Sequence, residues 1–360
     1  MTSIDTVLSG GVFGAAVDDF DALRELVDEL GRRAFDAGTG RRARPQTLDH
    51  ALWDALQDTG LDRLTSNPDN GAGPAELAVV LYGLARHSAA APLAETDLLG
   101  AWLADAAGVD VPPAGPLTAA RAAGTLGGGA ITGTGTAVPF GRVAAAVVLL
   151  VDTDTAHYVG VVDPHAVSIT DGMNLAGEPR DDIAFKLSLQ HLNQVEQAVA
   201  DELVCRGAWA RCIQLVGALD AAAASSVAHC RERVQFGRPL SRFQSVQQSL
   251  AVMAGEIERG RAATTLAVAA AVDSGFADGR TEYAVAVAKA VLGPVAATVT
   301  SAAHQLHGAI GTSIEHPLWS STLRARSWVD EFGSAGHHAR RVGRLALHAT
   351  NVWDCVTGGI

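Results

Sequence analysis

The sequence predicts an α+β fold in three parts, ordered helix, strand, helix. Apolar residues recur at helical spacing across residues 18–110. That periodicity vanishes over 111–196, where Gly, Thr and Val become frequent, and it returns in longer runs from 197 to 352. These shifts set a helical N-terminal domain at 1–112, a small middle β domain at 113–196 and a C-terminal four-helix bundle at 197–360. The strands do not alternate with helices, so a Rossmann arrangement is not expected.

In the first part, Asp19 is placed to cap a helix running through Leu23, Leu26, Val27 and Leu30. Leu52, Trp53 and Leu56 share a second stripe. A turn cluster at Asn67–Gly71 precedes helices over Pro74–His87 and Glu95–Ala107. In the middle part, Val147–Val151 is a continuous apolar run suited to a buried strand, and His157–Val162 and Ala166–Thr170 are further β candidates. The glycine-rich run Gly127–Gly135 precedes β sequence rather than a helix, so it reads as turn punctuation and not as a dinucleotide fingerprint. Long helices follow over Glu196–Arg233, Arg242–Val272 and Thr281–His307, with a last one over His337–Ala349. Phe243, Val246, Leu250, Met253 and Ile257 form a packing seam, and Pro294 should kink the third helix.

Hydrophobic residues at 48% and charged residues at 18% exclude a disordered chain. A formal net charge of -12 argues against wrapping nucleic acid. Arginines still cluster, at Arg231, Arg233 and Arg238 and again at Arg324 and Arg326, which suits a small anionic ligand. Cys205, Cys212, Cys230 and Cys355 have no zinc-site spacing and read as buried free thiols, so no metal is expected. The first twenty residues carry Asp5, Asp18 and Asp19 without a basic segment, so no signal peptide is expected. No apolar stretch is expected to span a membrane, and the expected location is cytoplasmic.

Two stretches carry the chemical signal. The first is Arg231-Glu-Arg-Val-Gln-Phe-Gly-Arg-Pro-Leu240, followed by Arg242-Phe-Gln-Ser-Val-Gln247. Its cations suit a helix C-terminus, with Gly237 at a C′ position and Phe243 opening the next helix. It reads either as a basic helix–turn–helix corner or as a phosphate-binding one. The second is His304-Gln-Leu-His-Gly-Ala-Ile-Gly311, followed by Glu315-His-Pro-Leu318, a glycine loop ending a long helix.

Together these stretches resemble the acyl-CoA dehydrogenase family, with its Arg-x-x-Phe-Gly turn, its Gln-x-x-Gly-Gly-x-Gly loop and a following Glu-x-Pro. The helix–strand–helix order agrees, so the expected fold is acyl-CoA dehydrogenase-like. The form of the first stretch is most similar to actinobacterial members that act on bulky CoA thioesters such as sterol side chains, several of them built from two unlike subunits. The resemblance implies FAD as cofactor, contacted by Arg233, Gln235, Phe236 and Gly237. It also implies that Gln305, Gly308 and Ala309 reach the FAD of a neighbouring subunit, Ala309 replacing the usual second glycine. The implied partners are an acyl-CoA substrate, a homo- or hetero-oligomer with a related subunit, and electron-transfer flavoprotein as electron acceptor, with no nucleic acid and no membrane.

The reaction implied is αβ-dehydrogenation, in which a carboxylate removes the α proton while the β hydrogen leaves as hydride to the flavin. The family places this Glu in a Tyr-Glu-Gly-Thr segment. Counting from Arg324, Phe332 takes the Tyr position and Gly333 the Glu position. Glu331 is the candidate base if the alignment shifts by two residues; otherwise Asp330 and Glu331 counter Arg324 and Arg326. The alternative base slot, near Gly207 and Ala208, holds no acid, and Asp201 and Glu202 lie over a turn upstream. The family's Thr-Glu-Pro segment is absent between Pro113 and Gly133. His337 and His338 read as surface residues, since neighbours on a helix diverge by about 100°. Three readings follow: a self-sufficient dehydrogenase, a subunit of a heteromeric one that needs its partner's base, and a flavin-free structural or interaction protein on the same scaffold.

Overall fold

A computed structural model describes residues 8, 20–38 and 44–357. The chain divides into two compact units. One comprises 1–42, 73–89 and 208–360, and the other 43–72 and 90–207. Asp19 and the cap proposed there lie outside the described residues.

The second unit is built on a seven-stranded sheet. Its strands are β1 (Leu117–Gly127), β2 (Ala130–Pro139), β3 (Ala146–Asp152), β4 (His157–Val162), β5 (Ser168–Thr170), β6 (Arg180–Ser188) and β7 (Asn193–Val195). The order is β5-β6-β2-β1-β3-β4-β7, with only the β1–β3 pair parallel. The apolar run read as a buried strand is β3, and Val147, Leu149 and Val151 pack with Ile131, Ile183 and Phe185. Gly128 and Gly129 alone make the β1–β2 turn, both at positive φ. Gly127, Gly133 and Gly135 pair within the strands, so the glycine run is mostly sheet, not punctuation. Strands β1, β2, β6 and β7 escaped the sequence reading; in β1 and β2, Ala, Gly and Thr dilute the apolar alternation.

Around the sheet stand α2 (His50–Asp58), capped by Asp49 through Leu52 N, and α4 (Trp102–Ala107). The helix expected over Glu95–Ala107 begins as a π-helical stretch, Ala94–Ala101. Its buried polar residues are satisfied locally. Asp97 accepts from the N–H groups of Thr65 and Ser66, and Thr96 Oγ1 accepts from Leu117 N and donates to Leu117 O. These bonds fix the start of β1.

The first unit is helical. It contains α1 (Asp21–Ala37), α3 (Pro74–Arg86), most of α5 (Gln197–Glu232), α6 (Gln244–Ser274), α7 (Gly279–His307), α8 (Leu318–Trp328), α9 (Ala335–His348) and α10 (Val352–Thr357). Helix α7 continues across Pro294. Small residues let these helices approach closely: a Cβ on Gly217 of α5 would lie 2.5 Å from the carbonyl oxygen of Tyr82 in α3. At the centre, Asp220 accepts from Tyr82 Oη and from Arg261, both at 2.6 Å. Burial, and then the Asp220 carboxylate, push the Tyr82 phenol above its ordinary pKa. All four cysteines are buried free thiols, as expected.

Helices α5 and α7 are long and apolar enough to cross a membrane by length and composition, which corrects the expectation that no stretch reaches that length. At least half of each apolar window is buried inside the fold. Their composition is that of core helices in an alanine- and valine-rich bundle.

Candidate functional site

Helix α5 stops at Glu232, and the chain turns at once into a small hairpin. β8 (Val234–Gln235) pairs with β9 (Arg238–Pro239), and Phe236 and Gly237 form its tip at φ 51 and 77. Two successive positive φ values match the right-handed twist of a two-residue hairpin. Gly237 is therefore a hairpin residue and not a helix C′ residue, because the helix has already ended. Phe243 does open α6, as its N-cap. Phe236 is 90% exposed in a conformation that bulky residues rarely adopt. Its ring meets Phe243 edge-on at 6.1 Å, and Arg238 lies 4.2 Å over the Phe243 ring.

The second stretch ends α7. Gly308 is the C-cap at φ 64, its N–H donates to His304 O, and a 3₁₀ turn follows over Gly308–Thr312. Arg233, Gln235, Phe236, Gly237, Gln305, Gly308 and Ala309 are all exposed. A Cβ at Gly237 or Gly308 would meet no atom within 4 Å. The Ala309 methyl faces solvent, so it crowds nothing in its own helices. A guanidinium, two side-chain amides and approachable backbone fit one wall of a dinucleotide site. They form an open platform rather than a closed pocket.

A cluster of imidazoles, which sequence reasoning missed, joins the two stretches. His229 in the last turn of α5 stacks on His307 at 4.5 Å and 24°, and His316 meets His307 at 4.9 Å. His307 is 5% exposed; its Nδ1 donates to Ala303 O, and its Nε2 lies 3.2 Å from Ser225 Oγ. Burial, followed by the neighbouring imidazoles, pushes the His307 pKa down to about 4. Burial also lowers His229, with help from Arg233, and His316, with help from His229. The sequence signal was four histidines within reach of the motifs, but chain separation hid their meeting.

The segment expected to carry the base is a tight turn between α8 and α9. Glu331 is held by a cation from another helix, Arg211 of α5. Its carboxylate accepts from Arg211 Nε at 2.6 Å, and Arg211 is 2% exposed. Arg326 donates to Thr300 Oγ1 and Arg324 is buried, so these two do not form a surface cationic cluster for an anionic ligand. Lys289, fully buried, donates from Nζ to the carbonyls of Val329 and Glu331 at 2.8 and 2.7 Å. Burial pushes its pKa down to about 8. His338 is buried rather than on the surface, and its Nε2 donates to Phe332 O at 3.0 Å, whereas His337 is exposed. Gly333 has φ 105, and a Cβ there would fall 2.8 Å from His338 Nε2. Lys289 and Arg211 were legible as lone charges on apolar helical stripes, a pattern that marks a buried ion clamp.

Burial likewise pushes the His338 pKa down to about 4. For His307 and His338 the folded-state pKa lies below the ordinary imidazole value of 6.5. Both are neutral above pH 6.5 in either state, so their cost is nil there. As pH falls from 6.5 toward 4 the unfolded chain takes up protons that the fold refuses. Stability should drop across that window by on the order of 1–3 kcal/mol per imidazole after allowance for partial solvent access. Thermal melts from pH 7 to 4 check this: His307→Gln and His338→Gln should each flatten the acid limb, and an unchanged slope in both would contradict it.

Residues 198–345 match the acyl-CoA dehydrogenase C-terminal domain family. That part of the chain belongs to the acyl-CoA dehydrogenase C-terminal domain family. Among curated relatives, the probable acyl-CoA dehydrogenase FadE2 of Mycobacterium tuberculosis is 34% identical over 155 residues, 42% of this chain and 36% of that protein. The matched segment thus spans about a third of that relative's length. Among solved structures, the ChsE4–ChsE5 complex of Mycobacterium tuberculosis superposes with a TM-score of 0.81 at 23% identity, covering 93% of this chain and 99% of that one. The Tcur3481–Tcur3483 steroid ACAD, solved as a variant, gives 0.79 at 22% identity, covering 92% and 98%. At these identities the superpositions establish the acyl-CoA dehydrogenase fold: helical N-terminal part, central sheet and C-terminal helices.

Proposed function

We propose that this chain is an FAD-binding subunit of a heteromeric acyl-CoA dehydrogenase whose α-proton base comes from a related partner subunit. The observation that carries the reading is Gly333. The position aligned with the family's Glu is a glycine at positive φ with His338 packed where a side chain would start. The neighbouring carboxylate, Glu331, is bound to buried Arg211 and so is poorly placed to move a proton. Bound FAD would supply the hydride acceptor. Arg233 and Gln235 would hold its pyrophosphate, Phe236 would pack on it, and Gln305, Gly308 and Ala309 would face it across a subunit boundary. An open platform of seven exposed residues suits a cofactor enclosed only on assembly. The substrate class we assign is a CoA thioester with a bulky, steroid-like acyl group, supported by the form of the first motif and by the steroid ACAD among the fold's relatives. Electron-transfer flavoprotein is the assigned acceptor.

The test is co-expression with a same-family chain that carries the base Glu and the Thr-Glu-Pro segment. The purified complex should show visible flavin absorbance that bleaches with a bulky acyl-CoA, and Glu331→Gln in this chain should leave the bleaching rate unchanged. A colourless complex supports the flavin-free reading instead. Bleaching by this chain alone, abolished by Glu331→Gln, would make it a self-sufficient enzyme.

A further inference from the structure

The hairpin and the α7 turn are separate in sequence, yet they share one fastening. Arg233 N–H donates to His229 O at 2.9 Å, and Leu240 N–H donates back to Arg233 O at 2.9 Å. The hairpin is thus hung directly from the residue whose ring stacks on His307. On the other side, His307 lies between Gln305 and Gly308, immediately before the glycine, and its tautomer is fixed. Nδ1 donates to Ala303 O, which leaves the Nε2 lone pair to accept from the Ser225 hydroxyl on α5. The loop beyond packs against the base of the same side chain: a Cβ on Gly311 would lie 2.8 Å from His307 Cβ and 2.9 Å from Leu318 Cδ2. His316 meets this pair edge-on from the loop side, its Nδ1 accepting from Leu318 N–H at 3.2 Å. Three imidazoles from three segments therefore form one cluster, with His229 stacked on His307 and His316 edge-on to both.

We infer that His307 is a positioning residue. By stacking on His229 and meeting His316 edge-on, it sets the hairpin Arg233–Gly237 against the turn Gln305–Ala309, so that the two act as one platform for an anionic dinucleotide. His307 lies beneath that platform and need not touch the ligand. The ligand part rests on the reading of this chain as an FAD-binding subunit; the fastening itself does not.

Two readouts test it on the full chain in its complex. The first is amide hydrogen exchange in the FAD-free protein. His307→Ala should speed exchange over Val234–Leu240 and over Gly308–Thr312 together by roughly tenfold, the size of one stacked ring pair. His307→Phe, which keeps a ring in the stack, should restore most of the protection. Leu292→Ala, a core truncation elsewhere on the same helix, should leave the hairpin's exchange unchanged. Unaltered hairpin exchange in His307→Ala, or equal acceleration by Leu292→Ala, overturns the inference whether or not FAD binds. The second readout is FAD affinity, followed by flavin fluorescence quenching. It should weaken by roughly tenfold in His307→Ala and recover in His307→Phe. If the exchange pattern holds and the wild-type complex takes up no FAD, the cofactor reading fails while the fastening stands. If wild type and His307→Ala bind FAD equally, the positioning role is wrong.

Discussion

A Gly333→Glu variant, the change that would rebuild the family's base in this chain, is expected to lose stability and to gain no proton-transfer activity. The backbone at 333 sits at φ 105, a region that side chains rarely tolerate, and a Cβ there would come within 2.8 Å of His338 Nε2 and 3.1 Å of His337 Cδ2. Backbone strain and overpacking together should cost about 2–5 kcal/mol. His338 has little freedom to retreat, because it is 2% exposed and bonded to Phe332 O. Nor can the turn open readily, since Lys289 holds two of its carbonyls and Arg211 holds Glu331. Urea unfolding measures the first effect, and deuterium exchange at the α carbon of a CoA thioester measures the second. Gly333→Ala should show most of the stability loss without the charge. A variant as stable as wild type that exchanges the α proton would mean that the turn is a silent but usable catalytic slot.

Asp220→Ala is expected to have the largest effect on stability of any substitution outside the site. Asp220 is fully buried in α5 and accepts from both Tyr82 of α3 and Arg261 of α6. Truncation leaves the Arg261 guanidinium charged and without this partner in the core, a loss of about 3–5 kcal/mol. Asp220→Asn keeps one acceptor and should fall between. The double variant Asp220→Leu with Arg261→Met should recover much of the loss, since a buried ion pair is often no more stable than a well-packed apolar replacement. Chemical denaturation of the four proteins decides this. A double variant no better than Asp220→Ala would show that the network specifies the packing of three helices rather than merely satisfying its own charges.

Helix existence was largely written in the chain. The seam from Phe243 to Ile257 and the apolar stripe of α7 depend on a periodicity that neighbouring residues impose on one another, so α6 and α7 were placed to within a few residues. The run 147–151 was likewise legible as a buried strand, because a strand covered on both faces needs no alternation. The motifs at Arg231–Gln247 and Gln305–Pro317 pointed to the family, and they lie within residues 198–345, which match its C-terminal domain. What stayed hidden was geometry that depends on residues far apart in the chain. Gly237 looked like a helix cap because helix ends and hairpin tips both favour glycine at positive φ. Only the pairing of Val234 with Pro239 tells them apart. Glu331 could be read in sequence either as a base or as a counter-charge to Arg324 and Arg326, because no distant partner is visible there. Arg211 reaches it from 120 residues away. The sequence by itself determined the long helices, the buried strand at 147–151 and the family that its motifs resemble, since these follow from local pattern. The tertiary structure alone decided that Gly333 has no room for a side chain, that Lys289 and Arg211 hold its turn, and that three histidines bind the two motifs together. Those outcomes turn on distances of a few ångströms between segments, and local pattern does not encode them.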